Sequence, residues 1–249
     1  MSAARVRARF AAVPAAAVLD VLAHRITSRT GQTAARYGAA IALLGIARAA
    51  GVSWAELGLD RKHLGSGVRT GVLAGACAAA AIFAGAAMPA TRGVFLDDRA
   101  AQVSRGDLAG GLARITLAAV PPEELTYRSA LYGLLLGSGT RAGAVTWPSL
   151  LFGVSHVLPT LSTMSQTAVS HHLARPLHQA AFVAGNVAAT GVAGVGFAWL
   201  RLRSGSVLAP LLAHAALNDS ALVAGRVACR LGRKQRAGVQ WRNRAGQGD

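Results

Sequence analysis

The chain has 249 residues, of which 53% are hydrophobic and 14% are charged, with a mean hydropathy of +0.39. Soluble domains carry roughly a quarter charged residues, so this composition excludes an ordinary water-soluble protein and favours a polytopic membrane protein. The formal net charge of +16 comes almost entirely from arginine. Because the arginines lie between and beside apolar runs, they indicate cytoplasmic loops that fix membrane topology, and nucleic acid is not an expected partner.

The first half of the chain is predicted to hold three membrane helices, at residues 10–23, 37–50 and 71–88. The first two are short and weakly apolar, so whether they cross the membrane stays open. Asp20 interrupts the first. The polar segment 54–69 is predicted to be a cytoplasmic linker. Gly71 and Gly75 have the four-residue spacing that permits close approach of another helix.

The second half is predicted to hold five apolar segments, at residues 108–120, 122–136, 142–158, 180–200 and 207–227. A new helix, or a kinked continuation, is expected at Pro122, because proline is tolerated in a first turn. A loop or interfacial helix is expected at residues 159–176. Residues 229–249 are basic and are predicted to be a disordered tail.

These segments predict an all-α, polytopic transmembrane helix bundle of about eight helices, with six as the alternative count. An even number agrees with two basic ends on the cytoplasmic side, so both termini are expected there. The predicted organisation is N-terminal membrane helices and linker at 1–107, a core at 108–228, and the basic tail at 229–249. The expected location is a bacterial cytoplasmic membrane.

Glu123 and Glu124 are adjacent at the edge of an apolar stretch, in a chain with only 10 acidic residues. Ionisable groups at membrane depth are costly and usually mark a functional site. Glu124 and Arg128 are four residues apart, so on a helix they share a face and can pair. Glu123 is turned away and left free. A buried ion pair beside an interfacial acid would also explain this pattern without catalysis.

Two other predicted helices carry polar groups in apolar surroundings. His156 follows Phe152 by four residues, and Asn218 follows His214 by four residues. Alone, His156 is more simply explained as a helix-packing residue. The pair of His214 and Asn218 is equally explained by an interhelical hydrogen bond.

Together, the runs Glu-Glu-x-x-x-Arg at Glu123, Phe-x-x-x-His at Phe152 and His-x-x-x-Asn at His214 occur in this order on three predicted helices. This set resembles the CPBP (CAAX protease and bacteriocin-processing, or Abi) family of intramembrane endopeptidases, which includes the Ras-converting CAAX prenyl endopeptidase. The approach to the last motif at residues 205–210 is also similar. The resemblance covers about residues 108–228 and implies that this core is a protease.

The resemblance implies hydrolysis of a peptide bond in a membrane-associated protein or peptide at the bilayer. Glu123 would be the general base, and His156 would help to hold and activate the water. His214 and Asn218 would stabilise the oxyanion of the tetrahedral intermediate. Three neighbours would have structural roles, namely the pair Glu124 and Arg128 and the packing residue Phe152. The substrate, its lipidation and its cleavage position stay open.

No cofactor is expected, but zinc is an alternative, because Glu123, His156 and His214 are a two-histidine, one-carboxylate ligand set. Asn218 fits an oxyanion donor better than a zinc ligand. A non-catalytic membrane scaffold or partner-binding protein is a second alternative, although packing alone does not need all four motif residues. A transporter would show related halves, whereas the polar residues here concentrate in the second half.

Overall fold

The computed structural model describes residues 3–95, 105–137, 139–165 and 176–245, and no β-strand occurs among them. The first part of the chain forms α1 (Ala3–Arg25), α2 (Arg29–Ala49), α3 (Trp54–Leu57), α4 (Leu64–Ala87) and α5 (Pro89–Arg92). Short 3₁₀ turns at Arg61–His63 and Gly93–Phe95 precede α4 and follow α5. The predicted all-α class is confirmed.

The second part begins with one long helical run, which we call α6. It consists of Arg105–Arg114, the π-helical Ile115–Ala119, Val120–Glu124, the π-helical Leu125–Leu131 and Tyr132–Leu136. It is followed by α7 (Arg141–Ser155), α8 (Val157–Ser165), α9 (Pro176–Ser204) and α10 (Leu208–Ala245).

Of the two alternatives predicted at Pro122, the structure shows a continuation and no new helix, because the π-helical turn Ile115–Ala119 precedes the two prolines and the run continues through them. A proline inside a helix removes a hydrogen bond and crowds the carbonyl of the preceding turn, which a wider turn relieves. The predicted disordered tail is wrong up to Ala245, because α10 continues that far through residues that favour helices.

The predicted loop or interfacial helix at residues 159–176 lies partly outside the described residues. Its first part is helical, because α8 extends from Val157 to Ser165. Residues 166–175 are not described.

The close helix approach predicted from Gly71 and Gly75 is present between α4 and α10. A methyl group added at Gly71 would lie 2.8 Å from the carbonyl oxygen of Ala209, and one at Gly75 would lie 2.8 Å from Cβ of Ala216. Any larger side chain at these positions would push the two helices apart. The glycines therefore set the distance between α4 and the helix that carries His214.

The short helix α3 fastens the predicted linker to one end of the bundle. Buried Ser129 of α6 donates to the carbonyl of Leu57 at 2.7 Å. The guanidinium of Arg201 on α9 donates to the carbonyl of Glu56 at 2.9 Å. These bonds satisfy carbonyls at the end of α3, which has no further turn of its own to supply donors. The linker therefore belongs to the folded bundle and joins α6 to α9.

Three helical stretches in the described part of the chain are long and apolar enough to cross a bilayer: Arg61–Ala87, Arg141–Ser162 and Pro176–Ser204. Their outward side chains are apolar yet uncovered, with Leu73 61% and Val192 72% exposed. Such a surface is matched by lipid and not by water. The protein is therefore an integral membrane protein by its composition, and the total of eight crossing helices stays a prediction.

We expect Gly71→Leu to lower the free energy of unfolding by about 1–3 kcal/mol, because the new side chain overpacks the contact between α4 and α10. Gly65→Leu is the matched control, since a Cβ at Gly65 of the same helix meets nothing within 4 Å. Thermal unfolding in detergent measures both. Equal melting temperatures for the two variants would contradict the packing argument.

Candidate active site

The residues of the three sequence motifs are placed by α6, α7 and α10. Glu123 and Glu124 lie between the two π-helical segments of α6. Such segments often occur at functional sites, because the extra residue in the turn redirects the side chains that follow. Phe152 lies in the last turn of α7, His156 ends that helix, and His214 projects from α10.

A buried group of three charged or polar side chains joins α6 to α10. Arg128 donates to Oε1 of Glu124 at 3.1 Å, and Nδ1 of His214 lies 2.8 Å from the same oxygen. Glu124 is 0% exposed, Arg128 1% and His214 3%. Since an ionised carboxylate only accepts hydrogen bonds, Nδ1 of His214 carries the proton of this contact. The contact therefore fixes the orientation of the imidazole and leaves Nε2 for other partners.

Aromatic rings enclose the remaining sides of the Arg128 guanidinium. Its central carbon lies 4.1 Å from the ring centre of Phe152 and 5.2 Å from that of Phe197. Its Nε and one terminal nitrogen have no hydrogen-bond partner within the described residues. Cation–π attraction compensates part of this loss in a desolvated site. Phe197 also stacks on His214, with 4.7 Å between ring centroids.

The sequence analysis missed Phe197, although a usable signal was present. Aromatic residues make up only 5% of the chain, and Phe197 lies in a stretch rich in glycine and alanine. Such a stretch packs closely against neighbours, so a single large ring within it fills a specific space. Phe152 has a wider set of contacts than the predicted packing role required, since its ring also meets those of Tyr127 and His214.

Glu123 has different surroundings from its neighbour Glu124. Its side chain is 24% exposed, and its Oε2 lies 3.9 Å from Nε2 of His214. It also lines a small cavity of about 30 Å³, together with Tyr127 of α6 and with residues of α1 and α2. This volume is sufficient to hold water. Glu123 therefore faces both a fixed imidazole and a space that water can enter.

The ring of His156 contacts the ring of Phe152, which in turn contacts Arg128 and His214. The ring centroids of His156 and Phe152 are 4.7 Å apart. Its Nδ1 lies 2.7 Å from the carbonyl oxygen of Phe152. Because a carbonyl only accepts, Nδ1 is the donor, and Nε2 is the nitrogen available to a ligand or water. Asn218 is half-buried one turn after His214. Its neighbour Asp219 accepts a hydrogen bond from Thr116 at 2.8 Å.

The structure therefore brings five of the predicted residues into mutual contact, namely Glu123, Glu124, Arg128, Phe152 and His214. It places His156 and Asn218 at the edges of this group. In the described part of the chain, no three His, Cys, Asp or Glu side chains are arranged to hold a metal ion. Oε2 of Glu123 and Nε2 of His214 approach to 3.9 Å, and His156 keeps Nε2 available because its Nδ1 meets a backbone carbonyl, so zinc stays an alternative.

The geometry places the partly exposed carboxylate of Glu123 3.9 Å from an imidazole that the buried Glu124 holds in orientation. Residues 106–219 match the family model of the type II CAAX prenyl endopeptidases, Rce1-like. This match supports the assignment of residues 106–219 to the CAAX protease (CPBP) family. No match was found among curated proteins, and none among solved structures.

We expect Arg128→Met to lower the free energy of unfolding by about 3–5 kcal/mol, because it leaves the carboxylate of Glu124 buried without its cation. The double variant Arg128→Met, Glu124→Gln removes both charges and should recover part of the loss. Thermal unfolding in detergent measures the series. Arg61→Met, at an exposed arginine of the linker, is the control. Equal melting temperatures of Arg128→Met and Arg61→Met would contradict this argument.

Proposed function

We propose that the protein is an intramembrane endopeptidase that hydrolyses a peptide bond in a membrane-associated protein or peptide. The observation that carries this proposal is the position of Glu123. Its carboxylate is partly exposed, lines a cavity that can hold water, and lies 3.9 Å from the imidazole of His214. The match of residues 106–219 to the CAAX prenyl endopeptidases supports the same reaction class.

In the proposed reaction, Glu123 takes a proton from a water molecule, and the water oxygen attacks the carbonyl carbon of the substrate. A partly exposed carboxylate that water can reach with a hydrogen bond is suited to this role. His156 holds the water through Nε2, since its Nδ1 is occupied by the carbonyl of Phe152. The proton on Glu123 then passes to the leaving nitrogen as the carbon–nitrogen bond breaks.

Two side chains of α10 stabilise the oxyanion in this proposal. Nδ1 of His214 donates its proton in a hydrogen bond to Glu124. Nε2 then donates to the oxyanion when the ring is an imidazolium. The amide of Asn218, one turn further along, supplies a second donor. Donors fixed in a water-poor site before reaction cost no reorganisation when the charge develops. The buried Glu124 and Arg128 hold the imidazole in place and take no part in bond making.

The proposal places the enzyme in a bacterial cytoplasmic membrane with both termini in the cytoplasm. Its partners are the bilayer and a membrane-associated protein or peptide. No cofactor takes part, and no nucleic acid is bound. The apolar surfaces of α4 and α9 support the membrane assignment, because Leu73 and Val192 are largely uncovered on them.

Glu123→Gln is expected to lower kcat/KM about 10²- to 10⁴-fold, because it removes the general base while keeping the size of the side chain. The assay uses purified protein in detergent or vesicles and a panel of quenched fluorescent peptides, with and without lipid chains. Glu56→Gln, in the linker helix α3, is the matched control and should cleave at the wild-type rate. A folded wild-type protein that cleaves none of the peptides would favour the non-catalytic scaffold.

A strong zinc chelator is expected to leave the cleavage rate unchanged, because no step of the proposed reaction uses a metal. The same peptide assay, repeated after dialysis against the chelator, measures this. Loss of cleavage that zinc restores would contradict the metal-free reaction. Glu123, His156 and His214 would then be reassigned as ligands.

A further inference from the structure

Asp20 of α1 lines the same cavity as Glu123. The cavity of about 30 Å³ lies where α1 and α2 meet α6, and both carboxylates contribute to its wall. Asp20 also interacts electrostatically with Glu123 and His156. It lies outside residues 106–219, the part that matches the family model. The N-terminal helices therefore add an acidic side chain to a cavity that the family region forms only in part.

The side chains around Asp20 hold it in place. Arg36 of α2 lies 3.1 Å from Nε2 of His24, and a guanidinium can only donate. The other ring nitrogen, Nδ1, therefore carries the proton, and it lies 2.9 Å from the backbone carbonyl of Asp20 and 3.7 Å from its carboxylate. Arg36 itself lines the cavity and supplies one positive charge beside the two carboxylates.

The chemistry of a carboxylate limits what Asp20 can bind during hydrolysis. An ionised carboxylate has acceptors only, so it cannot stabilise an oxyanion. Its charge has the same sign as that of Glu123, so the cavity does not favour a carboxylate of the substrate. The attacking water already has an acceptor for its proton in Glu123. The remaining donor at the reacting centre is the N–H of the bond that is cut.

We propose, building on the function proposed above, that Asp20 is a further catalytic residue that accepts a hydrogen bond from the N–H of the scissile bond and holds the leaving amine. Water attacks the carbonyl carbon and gives its proton to Glu123. The carbon–nitrogen bond breaks, its electron pair stays on nitrogen, and nitrogen takes the proton from Glu123. Asp20 stays hydrogen-bonded to the nitrogen as it becomes an amine, while His24 and Arg36 act as positioning residues.

A matched pair of substrates tests this role. One is a peptide cleaved by the wild-type enzyme, and the other is the ester in which oxygen replaces the scissile N–H. Asp20→Leu should lower kcat/KM on the peptide about 10- to 100-fold, the usual effect of losing a hydrogen bond to a charged group. It should change kcat/KM on the ester less than about threefold, since the ester has no N–H to hold. Glu123→Gln should lower kcat/KM on both about 10²- to 10⁴-fold.

Asp20→Asn gives a second test that does not depend on the folding of Asp20→Leu. Its amide oxygen remains a weaker acceptor, so its loss on the peptide should be intermediate and again larger than on the ester. Asp60→Asn is the control, because Asp60 lies outside the cavity and accepts from the backbone N–H of Lys62 at 3.0 Å, which asparagine also does.

Each result decides between the two proposals. Equal losses on peptide and ester would give Asp20 a structural role and overturn the inference. Wild-type rates on both substrates would overturn it as well. In either case wild-type cleavage that requires Glu123 leaves the proposed function standing. A wild-type protein that cleaves neither substrate would overturn the proposed function, and the role of Asp20 would fall with it.

Discussion

The ion pair of Glu124 and Arg128 is the interaction on which the rest of the site depends. Both side chains are almost completely withdrawn from solvent, where an unpaired charge costs several kcal/mol. One oxygen of Glu124 is shared by Arg128 and His214, and rings of α7 and α9 cover the guanidinium. The ion pair therefore joins four helices, because a shift of α10 would remove the contact of His214 with Glu124 and a shift of α7 or α9 would remove a ring that covers Arg128.

The adjacent glutamates show how one helix supports two roles. Consecutive residues of a helix point in directions about 100° apart, so Glu124 enters the interior while Glu123 reaches the cavity. Burial and the pair with Arg128 fix the side chain of Glu124, whereas partial exposure leaves the side chain of Glu123 open to water. Pairs of titratable groups in different surroundings are typical of sites that carry out acid–base chemistry. The π-helical segments on both sides set the angle at which these two side chains leave α6.

The N-terminal helices do more than anchor the chain. α1 and α2 form part of the cavity wall, and α3 receives hydrogen bonds from α6 and α9. The family region alone would leave Glu123 without the wall opposite it. The glycines of α4 hold another N-terminal helix against α10, which carries His214. The site is therefore built from both halves of the chain.

The sequence by itself determined the all-α class, the membrane character, the family resemblance of about residues 108–228 and the local pair of Glu124 and Arg128. These follow from composition, from ordered motifs and from a four-residue spacing, all of which act over short stretches of chain. Only the tertiary structure decided that α6 continues through Pro122, that Phe197 stacks on His214 and that Asp20 shares a cavity with Glu123. The last two features depend on contacts between residues far apart in the chain, which neither spacing nor periodicity encodes, whereas the first depends on the π-helical turn that precedes the prolines.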